Sequence, residues 1–166
     1  MSWPVVGAVA AGGILLAAGV GKAVVPGSVR PFLYALGVPK PIVPMVVAGL
    51  PVAEILTGAL LLAGIRPWPA RAALALSVLF LGTLWWARQS GVSVGCRCFG
   101  VLDSAVLTPV ALVRAAVLVG LTAVLAVAQR SDVIAPGPVA AGAAAAFVFV
   151  VGFALVGKVY ELEAAR

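Results

Sequence analysis

Both cysteines of this chain fall within six residues, Gly95-Cys96-Arg97-Cys98-Phe99-Gly100. The thiolate is the reactive form of cysteine, a nucleophile and a ligand for soft metals, so the pair has three readings. It is a redox-active dithiol, a transient site for a soft ion such as Cu(I), or a chemically silent pair or static clip. The flanking Gly95 and Gly100 permit the unusual backbone angles that a disulfide between positions i and i+2 requires. So small a ring departs from relaxed disulfide geometry and is easily reduced, which suits a carrier of redox equivalents better than a staple. Arg97 lies between the thiols, where a cation stabilises a thiolate. Thiol–disulfide exchange needs neither a metal nor histidine, and the chain has no His. Cys96, Cys98 and Arg97 are the preferred catalytic set, with no resident metal.

A second constellation consists of charges embedded in apolar sequence. Glu54 lies midway along one apolar stretch, Arg114 about a third of the way into another, and Lys22 near the end of a third. An ionisable group at the bilayer midplane is costly, so Glu54 must be protonated or paired. Arg114, the deeper cation, is the first-choice partner. Lys22 is the second, because its long stem reaches inward. The resulting site is either a polar pocket beneath the cysteines, open to a quinone headgroup or a partner's side chain, or a structural pair that holds helices together.

The elements that carry these residues follow from composition. Of 166 residues, 64% are hydrophobic and 10% charged, with a mean hydropathy of +1.23, whereas a soluble domain is about a quarter charged. Too few polar groups remain to cover a water-facing surface, so the chain is an all-α integral membrane protein. The absence of histidine removes imidazole bases and His-ligated haem. Two cysteines do not close a structural zinc site. The net charge of +6 is scattered rather than clustered, which argues against nucleic acid.

A membrane-spanning helix needs about 20 mostly apolar residues. Five stretches qualify, at about 4–25, 42–65, 69–88, 105–128 and 138–160, forming one transmembrane domain over 1–166. No charge precedes Lys22, so the first stretch reads as a span rather than a cleavable signal. Gly12, Gly13, Ala17 and Gly21 in the first span, and Gly142, Ala146 and Gly152 in the last, allow close helix approach within the bundle or in a homodimer. The turns at 64–69 and 129–138 are short. The longer connections, 26–41 with an amphipathic stretch around Phe32, Leu33 and Leu36, and 89–104 with the cysteines, fall on one membrane face by alternation.

Two arguments on orientation oppose each other. With the longer connections inside, that side collects Lys22, Arg30, Lys40, Arg88, Arg97, Arg114, Lys158 and Arg166, against Arg66, Arg71 and Arg130 opposite. The positive-inside rule then puts the cysteines in the cytoplasm. Disulfide chemistry favours the oxidising, extracytoplasmic side, and that side is the one adopted.

Three stretches carry a family resemblance: Gly19-Val20-Gly21-Lys22 followed by Pro26, Leu50-Pro51-Val52-Ala53-Glu54 followed by Gly58, and Cys96-Arg97-Cys98-Phe99-Gly100. With them the chain resembles the MauE/DoxX-like superfamily of small membrane proteins, and within it the methylamine-utilisation MauE group, over about the first 130 residues. The cysteine element is the most specific; the family usually has Gly where this chain has Arg97. The resemblance implies that the first four of the five spans form a core similar to vitamin K epoxide reductase. It also implies a redox role beside a thioredoxin-like partner or exported thiol protein, with a membrane quinone as candidate cofactor. Residue usage rich in Ala, Val, Gly and Arg points to a high-GC bacterium and so to its inner membrane. The expected function is a membrane thiol–disulfide redox protein. The alternative is a non-catalytic accessory subunit of a membrane respiratory or biosynthetic complex.

Overall fold

The computed structural model describes residues 3–25, 27–65, 67–95 and 109–128. The chain forms α1 (Trp3–Val24), α2 (Arg30–Ala35), α3 (Val43–Leu62), α4 (Trp68–Gln89) and α5 (Pro109–Val127). All but α2 are long and apolar enough to cross a membrane. The segment 138–160, expected as a further span, lies outside the described residues, as do Cys96, Arg97 and Cys98.

The helix boundaries have local causes. Pro4, Pro31, Pro44, Pro69 and Pro109 each occupy the first or second position of a helix, where the missing N–H would have had no intrahelical acceptor. Gly37, Gly64 and Gly91 end helices with φ of 75°, 76° and 71°. At each the next residue donates back across the turn, Val38 to Leu33, Ile65 to Leu60 and Val92 to Ala87, all at 3.0 Å. This is the Schellman arrangement, which satisfies the last carbonyls of a helix and favours glycine for its left-handed backbone. Gly64 therefore stops α3 at Leu62, three residues before the end expected from hydropathy.

α1 is the central helix. Two thirds (67%) of its most apolar window is buried, against 28–33% for the other three long helices. Its Ala8, Ala11, Ile14 and Leu15 meet Leu61 of α3, Ala70 and Ala73 of α4, and Leu118 and Leu125 of α5 in one buried cluster. The peripheral helices turn valines, leucines and tryptophans outward, such as Val52, Leu56 and Leu60 of α3 and Val113, Val117 and Val124 of α5. Those faces suit lipid, since no hydrophobic effect drives helices together within it. Hydroxyls in the spans bond to their own helix: Ser77 Oγ donates to the Ala73 carbonyl at 2.7 Å, and Thr122 Oγ1 to that of Leu118 at 2.8 Å. Neither hydroxyl needs water.

Trp68 is exposed at the start of α4, with the Arg71 guanidinium 5.4 Å from its ring centre. Trp85 and Trp86 are exposed near the other end. Seventeen residues at 1.5 Å each separate these aromatic positions by about 26 Å, close to the thickness of a hydrocarbon core. Such belts sit at headgroup level.

The described parts of the two longer connections meet at one end of the bundle. Phe32 of α2 is buried in a cluster with Leu84 and Ala87 of α4 and Ala115 of α5, and Val92 and Val94 pack on it. The short helix α2 thus ties the loop-facing ends of α4 and α5 to the chain entering the cysteine stretch. Gly95, the residue before Cys96, is buried.

Candidate functional site

Lys22 and Glu54 form a two-pronged ion pair. Lys22 Nζ donates to Glu54 Oε1 at 2.8 Å and to Oε2 at 2.9 Å, and the two side chains are 1% and 0% exposed. The ring of Phe80, on α4, lies 5.2 Å from the ammonium to its centroid, so the cation also faces a π-surface.

The pair exists because α1 and α3 approach each other unusually closely. A Cβ at Gly58 would stand 2.7 Å from the Gly12 carbonyl oxygen and 2.8 Å from the Leu16 nitrogen. One at Gly19 would stand 2.8 Å from Ile55 and 2.9 Å from the Pro51 carbonyl oxygen. Only glycine fits these positions without displacing backbone. The seam places Gly19 level with Pro51–Ile55, so Lys22, one turn later, lies nearer the loop face than Glu54. Helix side chains tilt toward their own N-terminus. In the antiparallel pair this leans Lys22 into the bilayer and Glu54 toward the loop face, and the two meet.

This corrects the order of partners expected from depth along the sequence. Glu54 takes Lys22, not Arg114. Arg114 is buried at 5% exposure on the inward face of α5, but α5 packs on α4 and α1 whereas α3 packs chiefly on α1. Depth within a span does not reveal which spans are neighbours. The pair is sealed, with neither side chain open to solvent. An open apolar groove of about 670 Å³ lies elsewhere, between α4 and α5, lined among others by Val78, Gly82, Trp85 and Val113.

Sequence reasoning missed Phe80, an aromatic residue in an apolar helix with nothing local to mark it. It named Gly12, Gly19 and Gly58 for general packing or motif membership, without joining them into one seam. A glycine seam that clamps a Lys–Glu pair between the first two of the described membrane-length helices is the geometry that a family assignment must accommodate. The sequence matches the family described as "Methylamine utilisation protein MauE" across residues 3–128. The chain belongs to the MauE family. The match covers the four long helices of the described residues and the cysteine stretch between α4 and α5, so the seam, the ion pair and Cys96–Cys98 all lie within the MauE region. No curated protein and no solved structure matches the chain. The MauE assignment therefore rests on the family match, and the geometry of this MauE protein rests on its own residues.

Proposed function

We propose that this MauE-family membrane protein is a thiol–disulfide relay whose working pair is Cys96 and Cys98. The observation that supports it is the placement of the chain entering that pair: Val92 and Val94 are packed into the cluster that joins α2, α4 and α5. The chain leading toward the only two cysteines is packed as far as Val94, which supports a working surface at this end of the bundle. One Cys thiolate attacks the disulfide of a thioredoxin-like or exported partner, and a mixed disulfide forms as the partner's second sulfur leaves as a thiolate. The other Cys then displaces the partner's remaining sulfur. The partner gains two electrons and two protons as a dithiol, and Cys96–Cys98 becomes the disulfide. The same exchange runs in reverse when the partner is reduced. A membrane quinone is the proposed second substrate, taking two electrons and two protons to become a quinol. Arg97 stabilises the thiolates, the pair faces the extracytoplasmic side of a bacterial inner membrane, and a fifth span at 138–160 completes the bundle around a core of the vitamin K epoxide reductase type.

A second reading is favoured by the sealed ion pair. A buried charge site that no substrate reaches suits a structural subunit of a membrane complex, whose role is to support other proteins. One experiment separates the two. Alkylation-shift assays in native membranes are expected to show Cys96 and Cys98 moving between thiol and disulfide under mild reductant. Thiols that remain alkylatable under every oxidant, or full complementation by Cys96→Ser/Cys98→Ser, would leave the accessory role standing alone.

A further inference from the structure

The seam between α4 and α5 holds an open groove of about 670 Å³, walled by Val78, Leu81, Gly82 and Trp85 of α4 and by Leu112 and Val113 of α5. Apart from the indole N–H of Trp85, these side chains offer nothing polar. An added Cβ at Gly82 would meet nothing within 4 Å, so the α4 wall is hollow at its middle. Val78, Trp85 and Val113 are each more than half exposed. Leu81 and Leu112 also pack on the Phe32 cluster, which puts the groove at the end of the bundle where α2 lies.

Its length limits the occupant. Val78 and Trp85 are seven residues apart, about 10.5 Å along the axis, and half of a hydrocarbon core is about 15 Å. With Trp85 at headgroup level, the groove stays within one leaflet. That suits a single acyl chain, whereas another spanning helix would need a seam of the full thickness. The mouth of the groove is charged. Arg88 is exposed three residues after Trp85, so it continues the stripe of Val78, Leu81 and Trp85 by one turn. Arg30 of α2 and Lys40 are exposed at the same end. Glu54, the only carboxylate among the described residues, is sealed against Lys22. Among the described residues, then, no anion at this end would hold the ammonium of a zwitterionic headgroup. Three cations would draw a headgroup of net negative charge.

We propose that the α4–α5 groove binds an anionic phospholipid, with one acyl chain laid over Gly82 and the headgroup phosphate on Arg88. The lipid fills the seam that these two helices leave open. The proposal is independent of the redox reading of the cysteines.

The test is the thermal stability of delipidated full-length protein in uncharged detergent. It is titrated with phosphatidylglycerol, with phosphatidylcholine of the same chains, and with inorganic phosphate. A ligand that binds only the folded state raises the melting midpoint with its concentration, which yields an apparent affinity. One cation near an anionic headgroup is worth about a fivefold difference in affinity. Wild type is expected to prefer phosphatidylglycerol over phosphatidylcholine by at least about that factor, and to be indifferent to phosphate. Arg88→Gln is expected to lose the preference while still responding to both lipids. Gly82→Leu fills the groove and is expected to lose the lipid response without melting below delipidated wild type. If Gly82→Leu does not accumulate, Val113→Phe narrows the groove from the α5 wall and is expected to weaken both lipids alike. Equal wild-type responses to the two lipids overturn the inference, as does a preference that survives Arg88→Gln or a lipid response that survives filling of the groove. Stabilisation by inorganic phosphate alone would assign Arg88 to a free anion and overturn it too. So would a wild type with no lipid response whose oligomeric state changes in Gly82→Leu, which assigns the groove to a second copy of the chain.

Discussion

The seams α1–α3 and α4–α5 join antiparallel helices of similar composition and differ in how glycine is used. At Gly12, Gly19 and Gly58 an added Cβ would meet backbone or a neighbouring side chain at 2.7–2.9 Å. At Gly82 on α4 and Gly120 on α5 it would meet nothing within 4 Å. The first seam is closed and contains an ion pair; the second opens into an apolar groove. A glycine in a membrane helix is therefore not by itself a packing signal. Its meaning depends on what faces it.

Breaking the ion pair is the strongest way to test that contrast. Removing one partner strands a buried charge, which costs roughly 3–5 kcal/mol, whereas replacing both with apolar residues is often neutral. Lys22→Met is expected to lower the thermal stability of the detergent-solubilised protein sharply. Lys22→Met/Glu54→Leu is expected to regain most of that loss. A double variant as unstable as the single one would show that the seam needs the charges themselves.

Filling the two seams should separate them next. Overpacking a tight contact costs about 1–3 kcal/mol, so Gly58→Ala is expected to destabilise by that amount, with Gly19→Ala close behind. Gly82→Ala is expected to be neutral or to stabilise by up to about 1 kcal/mol, because alanine is the better helix former. Equal melting shifts for Gly58→Ala and Gly82→Ala would erase the distinction between closed and open seams.

Phe80 gives the smallest effect. Phe80→Leu retains apolar bulk and removes the π-face beneath Lys22, and a desolvated cation–π contact is worth about 1–2 kcal/mol. A loss of that size is expected in wild type, and little or none in the Lys22→Met/Glu54→Leu background. A double-mutant cycle reads the coupling, and additive losses would remove Phe80 from the site.

Much of the bundle is legible in sequence, and the legible part has a common physical basis. Hydropathy is a sum over neighbouring residues, so Val43–Leu62 or Pro109–Val127 can be recognised as apolar helices without knowing what lies beside them. The Pro starts and the Gly37, Gly64 and Gly91 stops act within a single turn. The spacing of Cys96 and Cys98 is likewise a local fact. So is the cost of burying Glu54, which by itself demands a counter-charge or a proton. The choice of Lys22 over Arg114 is not local. It depends on α1 rather than α5 lying against α3, on a glycine seam that sets their separation, and on the opposite tilts of side chains in antiparallel helices. Those are relations between distant segments, and only the packed bundle contains them.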